Sequence, residues 1–112
     1  MKKILITGGS GLLGNKIVTV AERRYDVTTT YHSNEISFTH SNCIKIDLTN
    51  KDQYDVFTNS DFDVIIHCAA LTDVDRCERE PDIAYQHNVS MTEHLLAIAN
   101  NLDARFIHIS TD

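Results

Sequence analysis

Short apolar runs alternate along the chain with longer stretches in which apolar residues return every three or four positions. Ile4-Leu5-Ile6 is a compact run of the buried-strand kind. A glycine-rich loop, Gly8 to Gly14, leads into a helix expected from about Leu12 to Arg24, with Leu13, Ile17, Val20 and Ala21 on one face. Val27 to Tyr31, rich in Thr and ending on Tyr, reads as a second strand. Cys43 to Ile46 reads as a third, closed by Asp47-Leu48. Thr49 or Asn50 then caps a short helix carrying Tyr54, Val56 and Phe57. Val64 to His67 is continuously apolar up to its histidine, as in a strand covered on both faces. Pro81 suits the first turn of a helix, where its missing N–H costs nothing. The stripe Ala84, Asn88, Met91, Leu95, Ile98, Leu102 carries that helix forward, and Arg105 to Ile109 gives a fifth strand.

Strands alternating with helices predict an α/β fold with a parallel sheet and helices on both faces. Right-handed crossovers make the simplest layout a doubly wound sheet in strand order 3-2-1-4-5, truncated after strand 5, where the chain stops. No helical pattern joins strands 2 and 3, so residues 33 to 42 are expected as a loop. Strand 5 would lie at an open edge with Phe106, Ile107 and Ile109 partly uncovered, which predicts a homo-oligomer or a longer natural chain.

Composition narrows the class. With 112 residues, 42% apolar and 23% charged, the chain has ordinary globular character and room for a single domain. A net charge of −6 argues against a nucleic-acid partner, which needs a clustered basic face. The first 50 residues carry a balance of +2 and the rest −8, so an anion site belongs more naturally in the first half. Cys43, Cys68 and Cys77 form no CxxC pair and read as reduced thiols. No apolar stretch is long enough for a leader or a membrane span, so a cytoplasmic protein without a membrane partner is expected.

All four glycines fall within seven positions, Gly8, Gly9, Gly11 and Gly14, between the first strand and the first helix. That junction places backbone N–H groups at a helix N-terminus, where a dinucleotide's pyrophosphate sits. Glycine there permits a tight turn, close approach to phosphate and close helix–strand packing. A ligand-free glycine turn is the simpler alternative; the position of the motif in a βα-alternating chain favours the dinucleotide, in a Rossmann-type domain spanning residues 1–112.

The segment Thr7-Gly8-Gly9-Ser10-Gly11-Leu12-Leu13-Gly14 satisfies both GxGxxG and TGxxGxxG. The second pattern resembles the short-chain dehydrogenase/reductase superfamily, in particular its extended branch acting on nucleotide sugars. The stretch from Ala69 to Glu78 with Thr72, Val74 and Asp75, then Glu80-Pro81, Asn88-Val89 and Ser110-Thr111-Asp112, resembles dTDP-4-dehydrorhamnose reductases. The resemblance covers the whole chain as the N-terminal part of such an enzyme. An aromatic residue is usual in that family where Leu71 stands here.

The resemblance implies a dinucleotide-dependent reduction of a 4-keto nucleotide sugar. It implies that Gly8, Ser10, Gly11, Leu12, Leu13 and Gly14 hold the pyrophosphate, and that Asp47 and Leu48 meet the adenine. Ala69, Ala70, Thr72 and Ser110 would follow the ribose path. Thr111 would hydrogen-bond the substrate's 4-keto group, and Asn88 would support the proton relay. From periodicity alone, Asn88 is the polar member of an apolar stripe, either partnered inside or at a wet rim. No tyrosine is followed four residues later by lysine: the positions after Tyr25, Tyr31, Tyr54 and Tyr85 are Thr29, Glu35, Thr58 and Val89. The Tyr-x-x-x-Lys acid pair of the family is therefore absent, and the chain alone is expected to bind nucleotide without reducing substrate.

Cofactor choice turns on the end of the second strand, where an acid marks NAD sites. Here it reads Thr30-Tyr31-His32-Ser33-Asn34, with no acid before Glu35. His32 and Ser33 can donate to a 2′-phosphate, so NADPH is expected, with NADH the alternative. His87 and His94 are seven apart without a third ligand in pattern, so no metal is expected. A non-catalytic dinucleotide-binding regulatory module of the same superfamily is the competing reading; an epimerase or dehydratase of the extended branch fits the later motifs less well.

Overall fold

The computed structural model describes residues 1–33, 35–68 and 81–109. Five parallel strands form one sheet in the order β3-β2-β1-β4-β5, the doubly wound order expected from the alternation. They are β1 (Lys3–Thr7), β2 (Asp26–Tyr31), β3 (Asn42–Lys45), β4 (Val64–His67) and β5 (Arg105–His108). Among the described residues the other elements are two α-helices, α1 (Leu12–Ala21) and α2 (Pro81–Leu102), and a 3-10 helix (Lys51–Phe57). Residues 35–41, between β2 and β3, hold no helix.

Side chains alternate across β1 and divide the core in two. Leu5 joins Ile65, Met91, Leu95, Tyr54 and Phe57 on the side of α2 and the 3-10 helix. Ile4 and Ile6 join Val18 and Val27 on the side of α1. The central strand is thus covered on both faces, which its unbroken apolar run requires.

Several local expectations are corrected. Helix α1 ends at Ala21, not Arg24, because the Ala21 carbonyl accepts from both Arg24 and Tyr25 and turns the chain into β2. Its inner face is Gly14, Ile17, Val18 and Ala21; Leu13 and Val20 are exposed. Strand β3 lies one residue earlier than expected, and the short helix after it is 3-10 with Val56 exposed. Asn50, one of the two expected caps, accepts the Asp52 N–H at 3.0 Å.

In α2, Met91, Leu95 and Ala99 are buried, while Asn88 is half-buried and its carbonyl accepts from Thr92 Oγ1 at 3.0 Å. Strand β5 is an edge of the described sheet, with Ile107 42% exposed. Cys43 and Cys68 are free thiols; Cys77 lies outside the described residues.

Candidate dinucleotide site

A parallel sheet gathers the ends of all its strands on one edge, where the connections to the helices open a crevice. At that edge β1 gives way to the glycine turn. Gly8 has φ 78°, a left-handed conformation that favours glycine. The Gly11 N–H closes the turn on the Gly8 carbonyl at 3.0 Å. Two further amides tie it to β2: Gly9 N–H donates to the Thr30 carbonyl at 3.0 Å and Gly8 N–H to Thr30 Oγ1 at 3.2 Å. Gly14 packs α1 against this turn, and a Cβ on it would collide with the Gly8 carbonyl.

Gly11 is different. Among the described residues, a Cβ there would meet only the Gly8 carbonyl oxygen, at 3.4 Å, which is ordinary contact. Gly11 is the N-cap of α1, and no side chain caps the helix or places an acid in its first turn. Ser, Asp or Asn at that position would stabilise the helix more than glycine does. The first amide held within the helix is that of Asn15, on the Gly11 carbonyl at 2.9 Å. The amides of Leu12, Leu13 and Gly14 have no intrahelical acceptor and lie at the positive end of the helix dipole. Ser10, Leu12 and Leu13 around them are exposed, Leu12 by 82%. An open, uncapped N-terminus beside a glycine turn fits the pyrophosphate of a dinucleotide.

Beyond β2 and β3 the edge continues with polar groups. His32 and Ser33 are exposed immediately after β2. Asp47 accepts from Thr49 N–H at 3.0 Å and Thr49 Oγ1 at 2.6 Å, while its own N–H donates to Gln53 Oε1 at 2.7 Å. The Thr49 hydroxyl chiefly, with the nearby His32 and His87, holds its carboxyl below the usual range. Asp47 therefore stays an ionised acceptor, the form that takes an exocyclic amine. The Leu48 side chain is buried in the core and its carbonyl accepts from Tyr54 OH at 2.7 Å.

Under this edge lies a buried polar pair. Thr7 Oγ1 and His67 Nδ1 are 2.6 Å apart, and the Cys68 N–H donates to the same hydroxyl at 3.1 Å. His67 stacks on His108 with ring centres 5.2 Å apart. Burial, reinforced by His108, pulls the His67 pKa down to about 4, so the ring is neutral at physiological pH. These bonds fix the ends of β1 and β4 to each other. Ala69, Ala70 and Thr72, which follow β4, and Ser110 and Thr111, which follow β5, lie outside the described residues.

A family model described as the RmlD substrate binding domain matches residues 1–112. The chain belongs to this family. It is thereby an extended short-chain dehydrogenase/reductase. Among relatives of the RmlD-type chain, a probable low-salt glycan biosynthesis reductase, Agl14, of Haloferax volcanii is 37% identical over 111 residues, covering 96% of this chain and 36% of that protein. A dTDP-4-dehydrorhamnose reductase of Mycolicibacterium smegmatis is 33% identical, over 99% of this chain and 31% of its own length. The crystal structure of a hypothetical dTDP-4-dehydrorhamnose reductase from Sulfolobus tokodaii superposes with a TM-score of 0.83 at 37% identity, covering 98% of this chain and 39% of that one. The RmlD-type chain thus spans about a third of the length of the curated relatives it matches.

Thr29 and Thr30 shape the site without having been singled out from sequence, and Gly9 was named there only as a member of the glycine cluster. Gly9 is needed because a Cβ there would overlap Thr29 Oγ1. Thr29 donates to the Ile6 carbonyl at 2.7 Å, and Thr30 holds the turn. Their signal, a Thr-Thr-Thr run, reads equally well as simple strand preference. His87, weighed in the sequence only as a metal ligand, acts electrostatically on Asp47.

Proposed function

We propose that the protein is the nucleotide-binding portion of an NADP(H)-dependent reductase of 4-keto nucleotide sugars, converting dTDP-4-dehydrorhamnose to dTDP-rhamnose in the cytoplasm. The observation that carries the reading is the uncapped α1 N-terminus behind Gly11, a glycine that packing among the described residues does not demand. The names of the M. smegmatis relative and of the S. tokodaii neighbour supply the substrate class.

In this reading the amides of Leu12 to Gly14, with Ser10, take the pyrophosphate. Asp47 accepts from the adenine amine, and His32 and Ser33 donate to the 2′-phosphate. Ala69, Ala70, Thr72 and Ser110 continue along the ribose, Thr111 holds the sugar's keto oxygen, and Asn88 positions the proton relay. When bound, the dinucleotide supplies the hydride. Because no Tyr-x-x-x-Lys occurs in the 112 residues, they bind nucleotide without turning substrate over.

Titration followed by nicotinamide fluorescence tests this. Saturable binding of NADPH, with no oxidation on adding dTDP-4-dehydrorhamnose, is expected. Failure to bind NADPH and NADH alike would refute the site. Steady NADPH oxidation by the 112 residues would refute the division between binding and catalysis.

A further inference from the structure

We propose that His67 is a positioning residue for the dinucleotide, fixing where the chain leaves β4 and β5 relative to the glycine turn. This role rests on the dinucleotide reading above and concerns a residue which that reading leaves unused. Strand β1 is apolar from Ile4 to Ile6 and β4 from Val64 to Ile66, and each then ends on a polar residue. Those two residues, Thr7 and His67, are partners in register and both buried. A core position is filled at less cost by an apolar side chain, and replacing both members of a buried polar pair by apolar groups can leave stability nearly unchanged. Stability alone therefore does not explain the pair. Its place does, at the sheet edge where the glycine turn opens.

His67 Nδ1 lies 2.6 Å from Thr7 Oγ1, on the residue directly before Gly8. The same hydroxyl accepts the Cys68 N–H at 3.1 Å, holding the first residue beyond β4. The His67 carbonyl accepts the Ile109 N–H at 3.1 Å, holding the first residue beyond β5, and the ring stacks on His108. One side chain and its backbone thus tie together the points where the chain leaves β1, β4 and β5. In the proposed reading, the residues that follow these points meet the pyrophosphate, the ribose and the keto oxygen. Burial and His108 keep the ring neutral at physiological pH, so it offers one donor and one acceptor. The glycine turn has an independent anchor, since the Gly8 and Gly9 amides bond Thr30 of β2. Loss of the Thr7–His67 contact should therefore spare the adenine–pyrophosphate end and weaken what lies further along the dinucleotide.

Calorimetric titration with NADPH, and with ADP as the adenine–pyrophosphate end alone, tests this in the wild type, Thr7→Val, His67→Leu and His67→Asn. Thermal melts establish which variants are folded, and either of the two removals suffices for the comparison. NADPH affinity should fall about three- to tenfold in Thr7→Val and His67→Leu, the size of one hydrogen bond, while ADP affinity changes by less than about twofold. His67→Asn, whose amide can donate or accept close to where Nδ1 stood, should keep NADPH affinity within about twofold of the wild type. Unchanged NADPH affinity in the removals, a parallel fall for ADP, or no recovery in His67→Asn relative to His67→Leu overturns the positioning role and leaves the dinucleotide site standing. Binding of neither ligand by the wild type overturns both.

Discussion

Acidification probes the interior of the site through one side chain. His67 is 1% exposed, paired with Thr7 and stacked on His108. Burial first and His108 second lower its pKa to about 4, against about 6.5 for an unfolded histidine. The folded value lies below the unfolded one, so the unfolded chain takes up the proton first. The stability contributed by the neutral ring is fully present above about pH 6.5 and is lost progressively as pH falls towards about 4. At about 1.4 kcal/mol per pKa unit, the gap is worth about 3 kcal/mol in full and about 2 kcal/mol by pH 5. Against a typical domain stability of about 5–15 kcal/mol, such a loss is readily measured. Urea unfolding at intervals from about pH 8 to 5 should be compared for the wild type and His67→Gln. The substitution has its own cost, but that cost carries no imidazole titration. Carboxylates contribute to both curves alike and cancel in the difference. The wild type should lose about 2 kcal/mol more than the variant over this range. Parallel curves would refute the buried neutral histidine.

Two substitutions separate the roles of the glycines. Gly11→Asp places a capping carboxylate at the N-terminus of α1, so the melting temperature should hold or rise slightly while dinucleotide affinity falls at least tenfold; unchanged affinity would refute the open-terminus reading. Gly14→Ala drives a Cβ into the Gly8 carbonyl and should cost about 1–3 kcal/mol in denaturant unfolding, a cost that the better helix propensity of alanine, about 1 kcal/mol, only partly offsets; a neutral result would refute the tight packing of α1 on the turn.

The sheet was legible because its signals are redundant: apolar runs mark the strands, helical stripes the crossovers, and handedness then leaves few orders. The buried face of α1 was misread for a physical reason. Gly14 lies on the inner line of that helix but carries no side chain, so periodicity drew the stripe through Leu13 and Val20 instead. The glycine motif marked the β1–α1 junction as the candidate pyrophosphate end, and the role expected of Asp47 came from the family resemblance. The threonines stayed hidden because a strand residue that bonds a neighbouring turn has the same letter as one that merely favours extended backbone. His67 illustrates the same limit. Its burial follows from register, since β4 sets it beside Thr7 of β1, and no local pattern states that register.

The hydrogen bonds at the β1–α1 junction divide into two sets with different consequences. The amides of Gly8, Gly9 and Gly11 are all engaged within the protein, two with Thr30 and one across the turn. Thr29 anchors β2 to β1 one residue away, and Thr7 anchors β1 to β4 from the other side. The shape of the turn is therefore fixed by contacts made during folding, before any ligand arrives. The amides of Leu12, Leu13 and Gly14 belong to the other set, since a helix gives its first amides no carbonyl of its own. A ligand that meets them encounters donors already aligned, and little of its interaction is consumed in ordering the loop. A rigid turn carrying unused donors, built at the point where the strand order reverses, is an arrangement suited to receiving an anion rather than to stabilising a fold.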